Sequence, residues 1–137
     1  MIHAVWGTKS REPFLVQGVR QAVINHIREN ALQKNIFIDA INGYVEHLHC
    51  LLELHHEISI AKTMQLIKGE SSYWINKEKI TKSKFEWADE YFAVSVSESM
   101  LPNVRAYIAK QEEHHKKVTF EMEYQEFIKK YHFEVCV

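Results

Sequence analysis

Glycine and proline are scarce, with 4 Gly and 2 Pro in 137 residues. So few breakers exclude a collagen-like or low-complexity chain and put most residues into regular elements joined by short connections. Cysteine is scarcer still. Cys50 lies in an apolar run and Cys136 near the C-terminus, too few and too far apart for the disulfide framework of a small secreted domain, which points to a reducing cytoplasm. No apolar run approaches the roughly 20 residues of a membrane-spanning helix. The opening Met1 to Trp6 has neither the positive charge nor the apolar length of a signal peptide, so neither a membrane partner nor export is expected. Charge of one sign is lacking too: 17 Lys+Arg stand against 18 Asp+Glu, a formal net charge of −1. This argues against bulk electrostatic binding of nucleic acid and leaves only a local site for it. What the chain does have, 46% apolar residues, suffices for one soluble domain over residues 1–137 with a buried core.

The patterning predicts an α+β fold. Ile2, Ala4 and Trp6 alternate as in a strand. From Gln17 to Gln33 the apolar positions Val19, Ala22, Val23, Ile27 and Ala31 follow the helical period. Asn35 to Ile41 reads as a strand, Asn42-Gly43 as a hairpin turn with positive φ, and Tyr44 to Leu54 as the antiparallel return. Ser59 is a candidate N-cap for a second helix reaching about Lys79, and residues 80–90 read as a loop. Tyr91 to Ser97 gives a fourth strand, followed by helices over Leu101–Lys117 and Phe120–Tyr131. The order βαββαβ with appended helices is the ferredoxin-like arrangement of a four-stranded antiparallel sheet.

Two places carry chemistry. In the strand around Glu46-His47-Leu48-His49-Cys50, alternation sends Leu48, Cys50, Leu52 and Leu54 to one face and His47 and His49 side by side to the other. Two imidazoles so placed can share a metal ion, or can simply belong to a polar strand face. On the third helix Tyr107 and Gln111 stand four residues apart, one above the other, with His114 along the same line. Taken alone, Tyr107 reads as a half-buried tyrosine that packs its ring and hydrogen-bonds its hydroxyl. The pairs His55-His56 and His114-His115 read as solvated, and His3 and His26 as structural. Zinc spacing of the Cys-x-x-Cys or His-Glu-x-x-His kind is absent.

Val5-Trp6-Gly7-Thr8-Lys9, Glu46-His47-Leu48-His49, Ser95-Val96-Ser97 and the run from Tyr107 to His115, in this order, resemble the single-tyrosine HUH transposases of small insertion sequences and their relatives associated with repetitive extragenic palindromes. The resemblance implies that Tyr107 is the nucleophile and that His47, His49 and Gln111 bind a divalent metal, Mg²⁺ by expectation with Mn²⁺ as the alternative. It implies a single-stranded DNA substrate with hairpin-forming element ends, and a bacterial, cytoplasmic enzyme that meets the nucleoid when it acts. It further implies a homodimer in which one subunit's tyrosine helix can complete the other's metal site.

The chemistry is coherent with such residues. A phenolate nucleophile conserves the energy of the broken phosphodiester in a 5′-phosphotyrosine bond, which a 3′-hydroxyl can later attack without ATP. Lys9, Arg11, Lys68, Lys82, Lys84 and Lys110, with Trp87, are together candidate contacts to the strand, while each lysine on its own reads as a solvated surface charge. Phe120, Tyr124, Phe127 and Tyr131 form an aromatic stripe on the last helix. Two other readings stand beside the transposase: a domesticated repeat-associated DNA-binding protein or nuclease of the same fold, and a ferredoxin-like module whose histidines are incidental.

Overall fold

A computed structural model describes the backbone of residues 1–131, and the side chains of all of these except Phe127, Lys130 and Tyr131. Cys136 and the aromatic rings of Phe127 and Tyr131 therefore lie outside the described residues. The strands are β1 (Ile2–Gly7), β2 (Phe37–Tyr44), β3 (His47–Glu53) and β4 (Phe92–Ser95), and the helices α1 (Gln17–Gln33), α2 (Ile60–Lys77), α3 (Leu101–Ala109), α4 (Gln111–His115) and α5 (Phe120–Tyr131). The sheet order is β2-β3-β1-β4, every neighbouring pair antiparallel. That is the expected ferredoxin-like α+β arrangement.

The sheet is covered on both faces. Ala4, Trp6, Leu48, Cys50 and Leu52 pack against Val23, Ile24 and Ile27 of α1 and Met64, Ile67 and Ile75 of α2. This main core holds Cys50, whose thiol burial pushes up to about 12, so it is an inert core residue. On the opposite face Val5 and Phe92 meet Phe120 and Tyr124 of α5. Phe120 and Tyr124 of the aromatic stripe thus pack on their own domain. Leu54, expected inward, is 40% exposed at the strand's end.

Local chemistry explains most boundaries. The Ser59 side chain accepts from the Lys62 amide at 3.1 Å and starts α2 as expected. Asn35, expected in a strand, instead closes α1 in the left-handed region with φ 58°, a conformation asparagine tolerates. The hairpin turn is moved as well. Asn42 and Gly43 are paired strand residues opposite His49 and Leu48, and Val45-Glu46 makes the turn. Gly43 is needed for proximity, since a Cβ there would lie 2.1 Å from the His47 carbonyl oxygen. Residues 80–90 lack helix, but Phe85 is fully buried and Trp87 nearly so, its indole donating to Ser71 Oγ at 2.9 Å. They are core aromatics, and Trp87 is not displayed for stacking on bases.

Candidate active site

The predicted third helix is broken where its chemistry lies. Lys110 leaves helical geometry at φ −103°, ψ 25°, ending α3 and starting α4. Gln111 spans the break: its Nε2 donates to the Tyr107 carbonyl at 3.2 Å. Because that carbonyl can only accept, the amide is oriented with Oε1 inward, 3.1 Å from His47 Nε2 and 3.0 Å from His115 Nε2. On the sheet, His47 and His49 project from β3 into the same space. Both are fully buried, as is Gln111, so the face beneath α3–α5 is not a solvated polar face.

Each imidazole is anchored at its outer nitrogen. His47 Nδ1 donates to Glu46 Oε1 at 2.9 Å, and His115 Nδ1 donates to the Val118 carbonyl at 2.6 Å. His49 Nδ1 lies 2.9 Å from His3 Nε2. Since carboxylate and carbonyl only accept, His47 and His115 carry a proton on the outer nitrogen, and a neutral ring so placed turns a bare Nε2 lone pair inward. Those lone pairs face further acceptors, Gln111 Oε1 and a carboxylate from α5. Glu123 Oε1 is 2.9 Å from His49 Nε2, 3.5 Å from His47 Nε2 and 3.4 Å from His115 Nε2. One ligand atom each from His47, His49, His115 and Glu123 falls within a 4.8 Å span. Acceptors converging on acceptors call for positive charge between them, and three imidazole nitrogens with a carboxylate make a donor set for a divalent ion.

Tyr107 closes the site. Its ring stands edge-on to His49 at 5.5 Å, and its hydroxyl donates to Glu123 Oε2 and lies 3.3 Å from His114 Nε2. Burial, then the bond to the Glu123 carboxylate, holds the phenol above its usual range. Burial lowers His49 to about 3 and His3 to about 4, against the opposing pull of Glu123. For Glu123 burial acts upward, but the His115 and His49 imidazoles facing it outweigh burial and hold the carboxyl well below its usual range.

All four expected residues, His47, His49, Gln111 and Tyr107, therefore meet in one cluster of side chains. Sequence reasoning missed Glu123, Glu46, His115 and the support from His3. Signals for two of them were present: His115 follows Gln111 by four positions, and Glu123 follows Phe120 by three, an acid on an otherwise apolar helix face. Most of the candidate strand contacts are engaged elsewhere. Lys9 and Lys84 pair with Glu86, Arg11 with Glu90, and Lys68 Nζ donates to the Ala88 carbonyl at 2.7 Å.

A buried pair of strand histidines, a helical glutamine and a tyrosine hydroxyl on a ferredoxin-like sheet define the class of tyrosine transposases. Comparison with known proteins gives the family: the model for IS200-like transposases matches residues 1–111, and the chain belongs to that family. It is 26% identical over 115 residues to the ISDra2 transposase TnpA of Deinococcus radiodurans, covering 80% of this chain and 81% of that protein. A crystal structure from Deinococcus radiodurans R1 shares the fold with a TM-score of 0.64 at 24% identity, over 80% of this chain and 88% of that one. A REP-associated tyrosine transposase bound to a REP hairpin also matches in fold, with a TM-score of 0.64 at 14% identity over 85% and 68% of the two chains. The protein is a transposase of the IS200 type. Among the described residues no helix is long and apolar enough to cross a membrane.

Proposed function

We propose that this transposase cuts and rejoins single-stranded DNA through a 5′-phosphotyrosine link, with Tyr107 as nucleophile and His47, His49 and Gln111 as ligands of a divalent ion, in one domain over residues 1–137. The carrying observation is the convergence of His47 Nε2, His49 Nε2 and Gln111 Oε1 in a buried cluster flanked by the Tyr107 ring. An ion held there would supply positive charge against the scissile phosphate and the leaving 3′-oxygen. Mg²⁺ is the ion we propose in the cell, with Mn²⁺ bound more tightly by imidazole.

The rest falls to the chain's own groups. Tyr107 Oη attacks phosphorus, the Oη–P bond forms, and the P–O3′ bond breaks with its electron pair going to the 3′-oxygen, which takes a proton from solvent. The phenol's proton is within reach of Glu123 Oε2 and His114 Nε2. Attack by a 3′-hydroxyl on the phosphotyrosine reverses these bond changes and restores a phosphodiester. Asn103, Lys110, Lys116 and Lys117 line a cavity of about 760 Å³ that reaches Tyr107, and lysines so placed suit the phosphates of a strand led to it.

A hairpin at the element end is proposed as the address, supported by the fold shared with the hairpin-bound relative. A homodimer is proposed from the resemblance, each chain holding a complete site. Its α3 is fastened to its own sheet by a two-point Arg105–Asp39 ion pair at 2.7 and 2.9 Å and by Asn42 donating to the Ala109 carbonyl. The test is cleavage of the gene's flanking sequences as single strand or duplex, with Mg²⁺, Mn²⁺ or chelator. Cleavage confined to metal-supplied single strands, and weakened when the hairpin is removed, is expected. Equal cutting of duplex overturns the substrate assignment, and hairpin binding without cleavage favours the domesticated binder.

A further inference from the structure

The family match ends at Gln111, yet half of the acceptor cluster comes from beyond it. α5 delivers Glu123 into the centre, and the sheet is shaped to receive that helix. A Cβ at Gly7 would lie 2.7 Å from the Phe120 ring, so only glycine lets α5 close. Phe120 then stacks on His47 at 4.0 Å with the rings 2° from parallel, and Arg11 covers its other surroundings at 4.6 Å from the ring centroid. Three positions along α5 from Phe120, Glu123 is 4% exposed. Its two oxygens face different groups: Oε1 the Nε2 atoms of His49, His47 and His115, and Oε2 the Tyr107 hydroxyl and His114 Nε2 at 2.9 Å.

We propose that Glu123 is an additional ligand of the metal centre and a positioning residue for the nucleophile, Oε1 joining His47 and His49 around the ion while Oε2 holds the Tyr107 hydroxyl beside it. The inference rests on the metal-ion reading above and deepens it. Imidazoles and an amide are neutral ligands, so Glu123 brings a formal negative charge to the bare Nε2 atoms of His47 and His115, and with it hard-oxygen character. A single carboxylate spanning ion and phenol also fixes their separation, which is what in-line attack by a tethered nucleophile requires.

The test is Mn²⁺ binding to the full chain by titration calorimetry and by the loss of the free-ion electron paramagnetic resonance signal, alongside the rate of covalent DNA attachment. Folding is checked by thermal melting in chelator. Glu123→Gln keeps the shape and removes the charge. It is expected to weaken Mn²⁺ about tenfold or more and slow attachment, while Glu123→Asp recovers ion affinity in part and Tyr107→Phe leaves it unchanged. If His49→Ala abolishes Mn²⁺ binding and Glu123→Gln and Glu123→Asp both bind as wild type, the Glu123 assignment is overturned and the metal reading survives. Wild type that binds no Mn²⁺ overturns both. Faster attachment in Glu123→Gln at unchanged affinity also overturns it, and would mean that the carboxylate occupies the place of the substrate phosphate.

Discussion

His47 is gripped from several sides: Glu46 accepts from Nδ1 at 2.9 Å, Phe120 stacks on the ring, and a Cβ on Gly43 would strike its carbonyl oxygen. Outer partners of this kind fix the tautomer and raise ligand basicity, and their loss costs roughly 10–100-fold in metal affinity. Glu46→Ala should therefore weaken Mn²⁺ within that range, as titration calorimetry would record, with little change in the melting temperature in chelator. Wild-type affinity in this variant contradicts the anchoring. Gly43→Ala acts on the backbone instead. With 2.1 Å available before a carbonyl oxygen, the β2–β3 hairpin must shift, and a clear loss of thermal stability is expected; an unchanged melt would refute the close approach.

The buried histidines give the metal-free protein an acid-sensitive fold. Burial holds His49 at about 3 and His3 at about 4, below the ordinary 6.5. An unfolded chain takes up protons on both below pH 6.5 while the folded chain refuses them, so their contribution is intact above 6.5 and is lost as pH falls towards 4. The depressed Glu123 carboxyl works in the same sense. Melting in chelator should fall by at least about 4 °C between pH 7 and pH 5, and by less in His3→Leu. A flat profile contradicts the burial of neutral imidazoles.

At the scale of elements, legibility followed the strength of the period. The α1 stripe through Val23, Ile27 and Ala31, the Ser59 cap of α2 and the alternation of β1 were readable, because one face of each meets the core and the other meets water or a second layer. The His47/His49 pair was readable for the same reason, since strand alternation alone puts both on one face. Asn42-Gly43 misled because glycine serves two ends. Here it removes a Cβ rather than supplying positive φ, so the turn fell three residues later, at Val45-Glu46. The break at Lys110 was hidden, because nothing between Leu101 and Lys117 except Pro102, at the helix start, disfavours helix. At the break Gln111 Nε2 donates back to the Tyr107 carbonyl, and its Oε1 is turned towards His47 Nε2. Glu123 was missed because its meaning depends on α5 folding back over β1 and β3, which no local pattern specifies.

On the scale of the whole molecule, the fold separates two duties. α1 and α2 bury the main core on one side of the sheet, while α3, α4 and α5 close the other side over the reacting groups. The Arg105–Asp39 and Asn42–Ala109 links tie the tyrosine helix to β2 of its own sheet. Mixing Tyr107→Phe with His47→Ala protein distinguishes this from exchange between subunits. A complete site per chain predicts no recovered cleavage from the mixture, whereas recovery approaching about a quarter of wild type, the share of sites restored by random pairing, would show the helix serving a partner.

The central claim is that Tyr107 becomes covalently joined to DNA beside a centre built on His47, His49 and Gln111. Mass spectrometry of the adduct formed with single-stranded oligonucleotides from the gene's flanks, in Mg²⁺ or Mn²⁺, tests it most directly. A 5′-phosphate linked to Tyr107, formed only with metal and absent from Tyr107→Phe and His47→Ala, is the expected product. A linkage on another residue, or an adduct that persists in Tyr107→Phe, would contradict it.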